Sequence, residues 1–292
     1  MRRTTMKRLA QLFLVALVGA AFFSCGDPTI EIDDAYEPKI VVEAYVYPER
    51  PVEKIHITRN FPLNERLDLS TFIVDDATVL LDGAPLVFDA ATQSYKDASG
   101  ALAIDYDTEY TLEVTATIDG VELYDKATTR TPKAGFEVDQ SDMGTVKYGD
   151  EIVYTYTPSD GTDFYAASVI ADSASVETFI YDNNYFPTEE GDFDETGINR
   201  WVIQYVIDLN IDYTQPKISK EIEGTETWFY GPYTTVVYAG DDNMMKWLMT
   251  GKNVQQMDGN FLEPRMEYFE TGDAIGVFGS AIADTIRFRI VP

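Results

Sequence analysis

The residues best placed to do chemistry lie in one acidic, aromatic stretch between positions 182 and 201. Glu189, Glu190, Asp192, Asp194 and Glu195 sit there beside Tyr185, Phe186, Phe193 and Trp201. Two facing carboxylates about 5–10 Å apart would suit glycoside hydrolysis. Clustered oxygen ligands would suit a hard cation, and Asp192, Asp194 and Glu195 are the candidate calcium ligands. The stretch lacks the full Asp-x-Asp-x-Asp-Gly register, and Asp208-Leu209-Asn210-Ile211-Asp212 lacks its glycine. A solvated acidic loop is therefore the favoured reading. The aromatic set Tyr185, Phe186, Phe193 and Trp201 is the candidate ligand-binding surface, because ring faces stack on ligands.

Other chemistries have few residues to work with. One histidine and one cysteine leave no ligand set for a structural zinc site and little for a histidine-assisted nucleophile. His56 stands between Ile55 and Ile57, so alternation turns it away from the apolar face, towards solvent. Gly272, Gly276 and Gly279 do not keep dinucleotide-binding spacing and precede a strand, so they read as turn and close-packing glycines. No catalytic residue is predicted, and no cofactor beyond the candidate calcium.

Cys25 has a different use. Arg2, Arg3, Lys7 and Arg8 precede an apolar run from Leu9 to Phe23 that only Gln11 interrupts. That run is shorter than the roughly 20 residues a bilayer-spanning helix needs, and it reads as an export signal. Phe22 at −3, Ser24 at −1 and then Cys25 fit a lipobox. The expectation is a signal peptide over 1–24 and an acylated Cys25, with 25–37 as a tether. A lone cysteine cannot form an internal disulfide, and acylation uses its thiol. Two or three acyl chains anchor a protein firmly, at about 0.8 kcal/mol per buried methylene.

The formal charge is −28, from 22 basic and 50 acidic residues. Cleavage after Ser24 removes the four early bases and no acid, taking −28 to −32. Such an excess repels phosphate backbones, which excludes nucleic acid as an expected partner. An apolar content of 45% is too high for a disordered acidic tail and is enough for a sizeable core.

The elements that must position these residues read as strands. Alternating or β-branched runs occur at 40–46, 54–58, 77–81, 86–88, 110–118 and 121–129. Asp82-Gly83, Ser99-Gly100 and Asp119-Gly120 supply turns between them. Further runs follow at 152–156, 164–171, 176–181, 201–209, 234–238, 274–278 and 285–291. One helix is expected, capped by Asp241 or Asp242, presenting Met244, Trp247 and Leu248 on one face and ending at Gly251. The fold class is mainly β, with two sandwich-like domains: an immunoglobulin-like one over 38–133 and a β-rich one with a short helix over 134–292.

Several segments together resemble a known family. They are Pro38-Lys39-Ile40-Val41-Val42-Glu43-Ala44, Asp76-Ala77-Thr78-Val79, Ala127-Thr128-Thr129-Arg130-Thr131-Pro132, the single late helix, and Gly276-Val277-Phe278-Gly279-Ser280-Ala281. They are similar to the lipoproteins grouped as domain-of-unknown-function family 4249, common in Bacteroidota. The resemblance implies an envelope lipoprotein, often encoded beside a TonB-dependent outer-membrane receptor, and carries no catalytic residues with it. Acidic residues behind Cys25 resemble the export signals of surface-exposed lipoproteins. The expected function is thus an outer-membrane-anchored binding or accessory component of such an uptake receptor. The alternatives are a surface adhesin or structural scaffold, and a carboxylate-based glycoside hydrolase.

Overall fold

A computed structural model of the chain describes residues 36–62, 71–181, 198–209, 211, 214–256 and 269–292, without the side chains of 225 and 250–256. Strands make up 53% of it and helix 7%, which places the protein in the mainly β class, with several sheets and no closed barrel.

The strands in chain order are β1 (Ile40–Val46), β2 (His56–Arg59), β3 (Thr78–Leu81), β4 (Ala84–Asp89), β5 (Ser94–Lys96), β6 (Glu109–Ile118), β7 (Val121–Arg130) and β8 (Glu137–Val138). Then come β9 (Asp142–Lys147), β10 (Ile152–Thr157), β11 (Phe164–Ala171), β12 (Trp201–Leu209), β13 (Ile218–Ile222), β14 (Gly231–Gly240), helix α1 (Asp242–Gln256) and β15 (Ala274–Val291). They form a seven-stranded sheet in the order β12-β11-β14-β15-β1-β2, with β9 also on β15. A five-stranded sheet, β5-β4-β3-β6-β7, and a three-stranded one, β13-β10-β8, complete the set.

The large sheet is the common layer, and residue parity shows how. On one face Ile40, Val42, Ala44 and Val46 of β1, with Ala274 and Phe278 of β15, pack with Val79, Leu81, Leu112, Val114 and Leu123 of the five-stranded sheet. Further along the same face, Ile286, Phe288 and Ile290 of β15 and Tyr233 and Val237 of β14 pack with Val138, Ile152, Tyr154, Tyr156 and Ile222 of the three-stranded sheet. The alternate residues form the other face: Phe164 and Ala166 of β11, Ala281 of β15, and the partly buried Tyr45 and Tyr238, all against Met244, Met245 and Leu248 of α1. The segments 38–133 and 134–292 therefore meet inside one sheet, where β1 pairs in parallel with the first half of β15, Ile40 opposite Ala274 through Val46 opposite Ser280.

Two expected strands at 274–278 and 285–291 are one strand of 18 residues. The small residues Gly279, Ser280, Ala281 and Ala283 that appear to interrupt the pattern are places where neighbours come close; a Cβ on Gly279 would meet the Tyr45 ring at 3.2 Å. Gly276 is the extreme case, at φ +114, with room for no Cβ because the Val42 carbonyl oxygen would lie 1.9 Å away. The run expected as a strand at 176–181 is a 3-10 turn over Val176–Thr178 instead. The Thr178 hydroxyl accepts from the Ser175 amide at 3.0 Å, and such local bonds compete with a ladder. The helix runs past Gly251 to Gln256, since glycine costs about 1 kcal/mol inside a helix but ends one only where the chain turns left-handed.

Tyrosines fasten the loops that enter strands. The Tyr110 hydroxyl, at the start of β6, accepts from the Asp105 amide at 2.7 Å and donates to the Ala103 carbonyl at 3.3 Å. This is the tyrosine-corner arrangement of immunoglobulin-type sandwiches. Tyr165 accepts from the Ser159 amide at 2.9 Å, and Tyr233 accepts from the Phe229 amide at 2.9 Å, so the second half repeats the device. The β6–β7 hairpin turns at Asp119 (φ 53) and Gly120 (φ 81), the left-handed pair of a type I′ turn.

Asp125 on β7 joins the five-stranded sheet to β15. Its buried carboxylate accepts from the amides of Lys126, Thr271 and Ala274, each at 2.9 Å. Burial pushes its pKa up, but these three amides outweigh it and hold the carboxyl below its ordinary 3.8. A folded-state pKa below the unfolded one stabilises the fold above the unfolded value, and the contribution disappears as pH falls through the folded value. Replacing Asp125 with Ala orphans three amides and should cost about 2–4 kcal/mol at neutral pH. Urea titrations at pH 7 and at pH 3 check this: the gap between wild type and variant should narrow at the lower pH.

Candidate functional site

The face of the large sheet that carries α1 is not wholly covered by it. Beside the helix lies a groove of about 390 Å³. Glu43, Tyr45 and Tyr47 of β1 and the residue after it, Val236 and Tyr238 of β14, Ala283 and Thr285 of β15, and His56 of β2 contribute side chains to it. Strand alternation puts them on one face, since their neighbours Ala44, Val46, Ile55, Ile57 and Val237 are buried on the other. The register brings Glu43 opposite His56, Val236 opposite Thr285 and Tyr238 opposite Ala283. The β1–β2 connection supplies the rest of the lining: Arg50, Pro51, Glu53 and Lys54.

Arg50 is fixed from two sides. Its Nη2 donates to the Ala283 carbonyl at 2.5 Å, and its guanidinium lies 5.7 Å from the centre of the Tyr47 ring. Tyr45 and Tyr47 are largely buried at their rings. Burial, and then the Glu43 carboxylate, push the Tyr45 phenol well above its ordinary pKa; burial, and then Tyr238, do the same for Tyr47. Burial also raises Tyr238, against the Ser168 hydroxyl and Arg50. All three phenols therefore stay protonated at physiological pH and act as neutral donors. The arrangement can bind a small polar ligand: several donors and two carboxylates surround an apolar floor, in a volume typical of ligand sites.

Most residues singled out from the sequence lie elsewhere. Cys25, Tyr185, Phe186, Glu189, Glu190, Asp192, Phe193, Asp194 and Glu195 fall outside the described residues. Trp201 opens β12 with its ring stacked on Trp228 at 6.0 Å and tilted on Phe229 at 5.9 Å, within the aromatic core under the three-stranded sheet. Asp208 accepts from the Tyr156 hydroxyl at 2.7 Å and from Lys220 Nζ at 2.6 Å, so an internal cation already occupies it. Among the described residues no group of three or more His, Cys, Asp or Glu side chains is placed to hold a metal ion.

His56 does turn away from Ile55 and Ile57, and it is only partly exposed because it faces the groove. Sequence reasoning passed over Tyr45, Tyr47, Arg50 and Tyr238. The available signal was the outward row of β1: in Glu43-Ala44-Tyr45-Val46-Tyr47 the positions facing away from the core carry two aromatics, which is expensive on a face meant only for water.

A second cleft, of about 580 Å³, lies between the end of β7, the 160–164 turn and the start of α1. Five of its charged groups are committed to the fold. Arg130 pairs with Asp107 at 3.0 Å and Lys133 with Asp160 at 3.0 Å. Asp241 caps α1, accepting from the Met244 amide at 2.9 Å, while the Ser280 amide and the Thr129 hydroxyl also donate to it. Burial pushes the Asp241 carboxyl up, against those hydrogen bonds.

No curated protein matches the chain. The family model described as Domain of unknown function (DUF4249) matches residues 27–270, most of the sequence, and the chain belongs to that family.

Proposed function

We propose that the protein is an outer-membrane lipoprotein, acylated at Cys25, that serves as a binding or accessory component of a TonB-dependent uptake receptor and faces outward from the cell. The observation that carries the binding part is the groove beside α1, whose lining is held by sheet register and by a fixed Arg50. Preorganised donors on strands lower the ordering cost of capturing a ligand. The lipobox ending at Cys25 and the acidic segment behind it support the address. No helix among the described residues is long and apolar enough to cross a membrane. In this reading the acyl chains on Cys25 are the anchor.

The test is a pull-down from envelope membranes with the acylated protein, with bound partners identified by mass spectrometry. One TonB-dependent receptor should come down in near-equal amount, and Cys25→Ser should release the protein from the membrane fraction. Recovery of no receptor from a protein still held in the membrane would sink the accessory role and leave adhesion or scaffolding.

A further inference from the structure

We propose that the groove beside α1 binds its ligand through a carboxylate group, with Arg50 as the anchoring residue and Tyr45, Tyr47 and Lys54 as supporting donors. This rests on the binding role proposed above and names the ligand chemistry of the same site.

Acidic residues outnumber basic ones 50 to 22, and Arg59, Lys96, Lys126, Arg130, Lys133, Lys217 and Lys220 each pair with a carboxylate. Arg50, like Arg200, Arg287 and Arg289, makes no ion pair with a described residue, and it alone of these four lines the groove, where Glu43 and Glu53 stand without pairing to it; its partners are a carbonyl oxygen and an aromatic ring. One of its five N–H groups meets Ala283, and the planar fork keeps donors for a bidentate partner. The Tyr47 ring beneath its guanidinium, 5.7 Å away at the centre, adds a cation–π contact to the hydrogen bond on Ala283.

The neighbouring groups fit the same ligand. Tyr45 and Tyr47 are phenol donors whose hydroxyls make no hydrogen bond to any described residue, and Lys54 likewise makes no ion pair there. A cavity in which the uncommitted groups are mostly donors selects an acceptor-rich ligand, and a carboxylate is the compact form of that chemistry. Glu43 and Glu53 supply the opposite requirement, a hydroxyl or ammonium elsewhere on the ligand. A volume of about 390 Å³ suits one or two sugar or amino-acid units. An acidic sugar and an amino acid or short peptide share these features, and experiment separates them.

The full chain is titrated calorimetrically with two matched pairs: glucuronate against glucose, and alanyl-alanine against its C-terminal amide. At least one acid should bind at least about tenfold more tightly than its neutral partner, the scale of a charge-assisted contact. The pair that responds identifies the source, sugar or peptide. Arg50→Gln should abolish that preference while the thermal midpoint shows the variant folded, and Lys54→Gln should weaken it. Equal binding of acid and neutral partner, no binding of either acid at about 10 mM, or a preference that survives in a folded Arg50→Gln protein would each overturn the assignment. A receptor recovered in the pull-down alongside any of these results leaves the accessory role standing and removes only the carboxylate.

Discussion

A chain ending at Glu270 should have no cooperative fold. That cut removes β15 and little else, yet β15 is the strand on which β1, β9 and β14 all pair. It also supplies both cores, with Phe278 at one end and Ile286, Phe288 and Ile290 at the other, and it buries Val277 on the opposite face, all at or below 4% exposure. Burial of each large side chain contributes roughly 1.5–3 kcal/mol, so five of them contribute roughly 8–15 kcal/mol. That equals the whole net stability of an ordinary domain, about 5–15 kcal/mol. Thermal melting followed by circular dichroism should show no sigmoidal transition for this fragment. A sharp transition with near-native amplitude would mean that the smaller sheets fold without the large one. Since the family match runs from residue 27 to residue 270, a fragment trimmed to the matched region would lack the same strand.

The second large effect is expected at Gly276. Alanine there must place its Cβ 1.9 Å from the Val42 carbonyl oxygen, 2.8 Å from its carbon and 2.9 Å from its nitrogen. All three are backbone atoms of a buried, paired strand, so no rotamer change relieves the clash, and φ +114 is itself unfavourable for alanine. β1 must move off β15, at a cost of at least about 3 kcal/mol, in the range reserved for disrupted cores. Gly120→Ala is the matched comparison. It too has positive φ, but nothing lies within 4 Å of its Cβ, so only backbone strain of about 1 kcal/mol applies. Urea midpoints of the two variants should differ accordingly. Similar modest losses at both positions would show that the β1–β15 contact is looser than the geometry indicates.

Strong local signals in the sequence coincide with the elements of the fold. Phe164–Ala171 and Trp201–Leu209 form strands with the bounds their apolar, β-branched composition predicts, and Asp119-Gly120 makes the hairpin its residue types demand. β9 was missed because Asp142–Lys147 buries almost nothing; it lies along β15 with an exposed pattern. The continuity of β15 was missed because glycine and alanine look like interruptions until it is known which strand crosses there. The parallel pairing of β1 with β15 joins positions 234 residues apart, from Ile40 to Ala274, and no periodicity records such a partner.

The candidate site shows the same division. Alternation in β1 and β2 correctly separates Ile55 and Ile57 from His56, and Glu43, Tyr45 and Tyr47 from the core face. What alternation cannot supply is the second strand pair. Val236, Tyr238, Ala283 and Thr285 join these residues only once the sheet is assembled, so the groove is a product of topology and not of any one segment. Of the aromatic residues in 182–201 that are candidates from the sequence, Trp201 is the one that is described, and it is packed among other rings.

The parallel ladder between β1 and β15 has a mechanical consequence. Tension applied between residue 38 and the C-terminus draws β1 backwards along its axis and β15 forwards along the same axis. The seven residue pairs from Ile40–Ala274 to Val46–Ser280 are then loaded together in shear, rather than peeled one after another as in a hairpin pulled at its open end. Resistance to pulling is set by the unfolding rate rather than by equilibrium stability. A protein held by its N-terminal segment and tugged from its far end would thus meet load with its stiffest element.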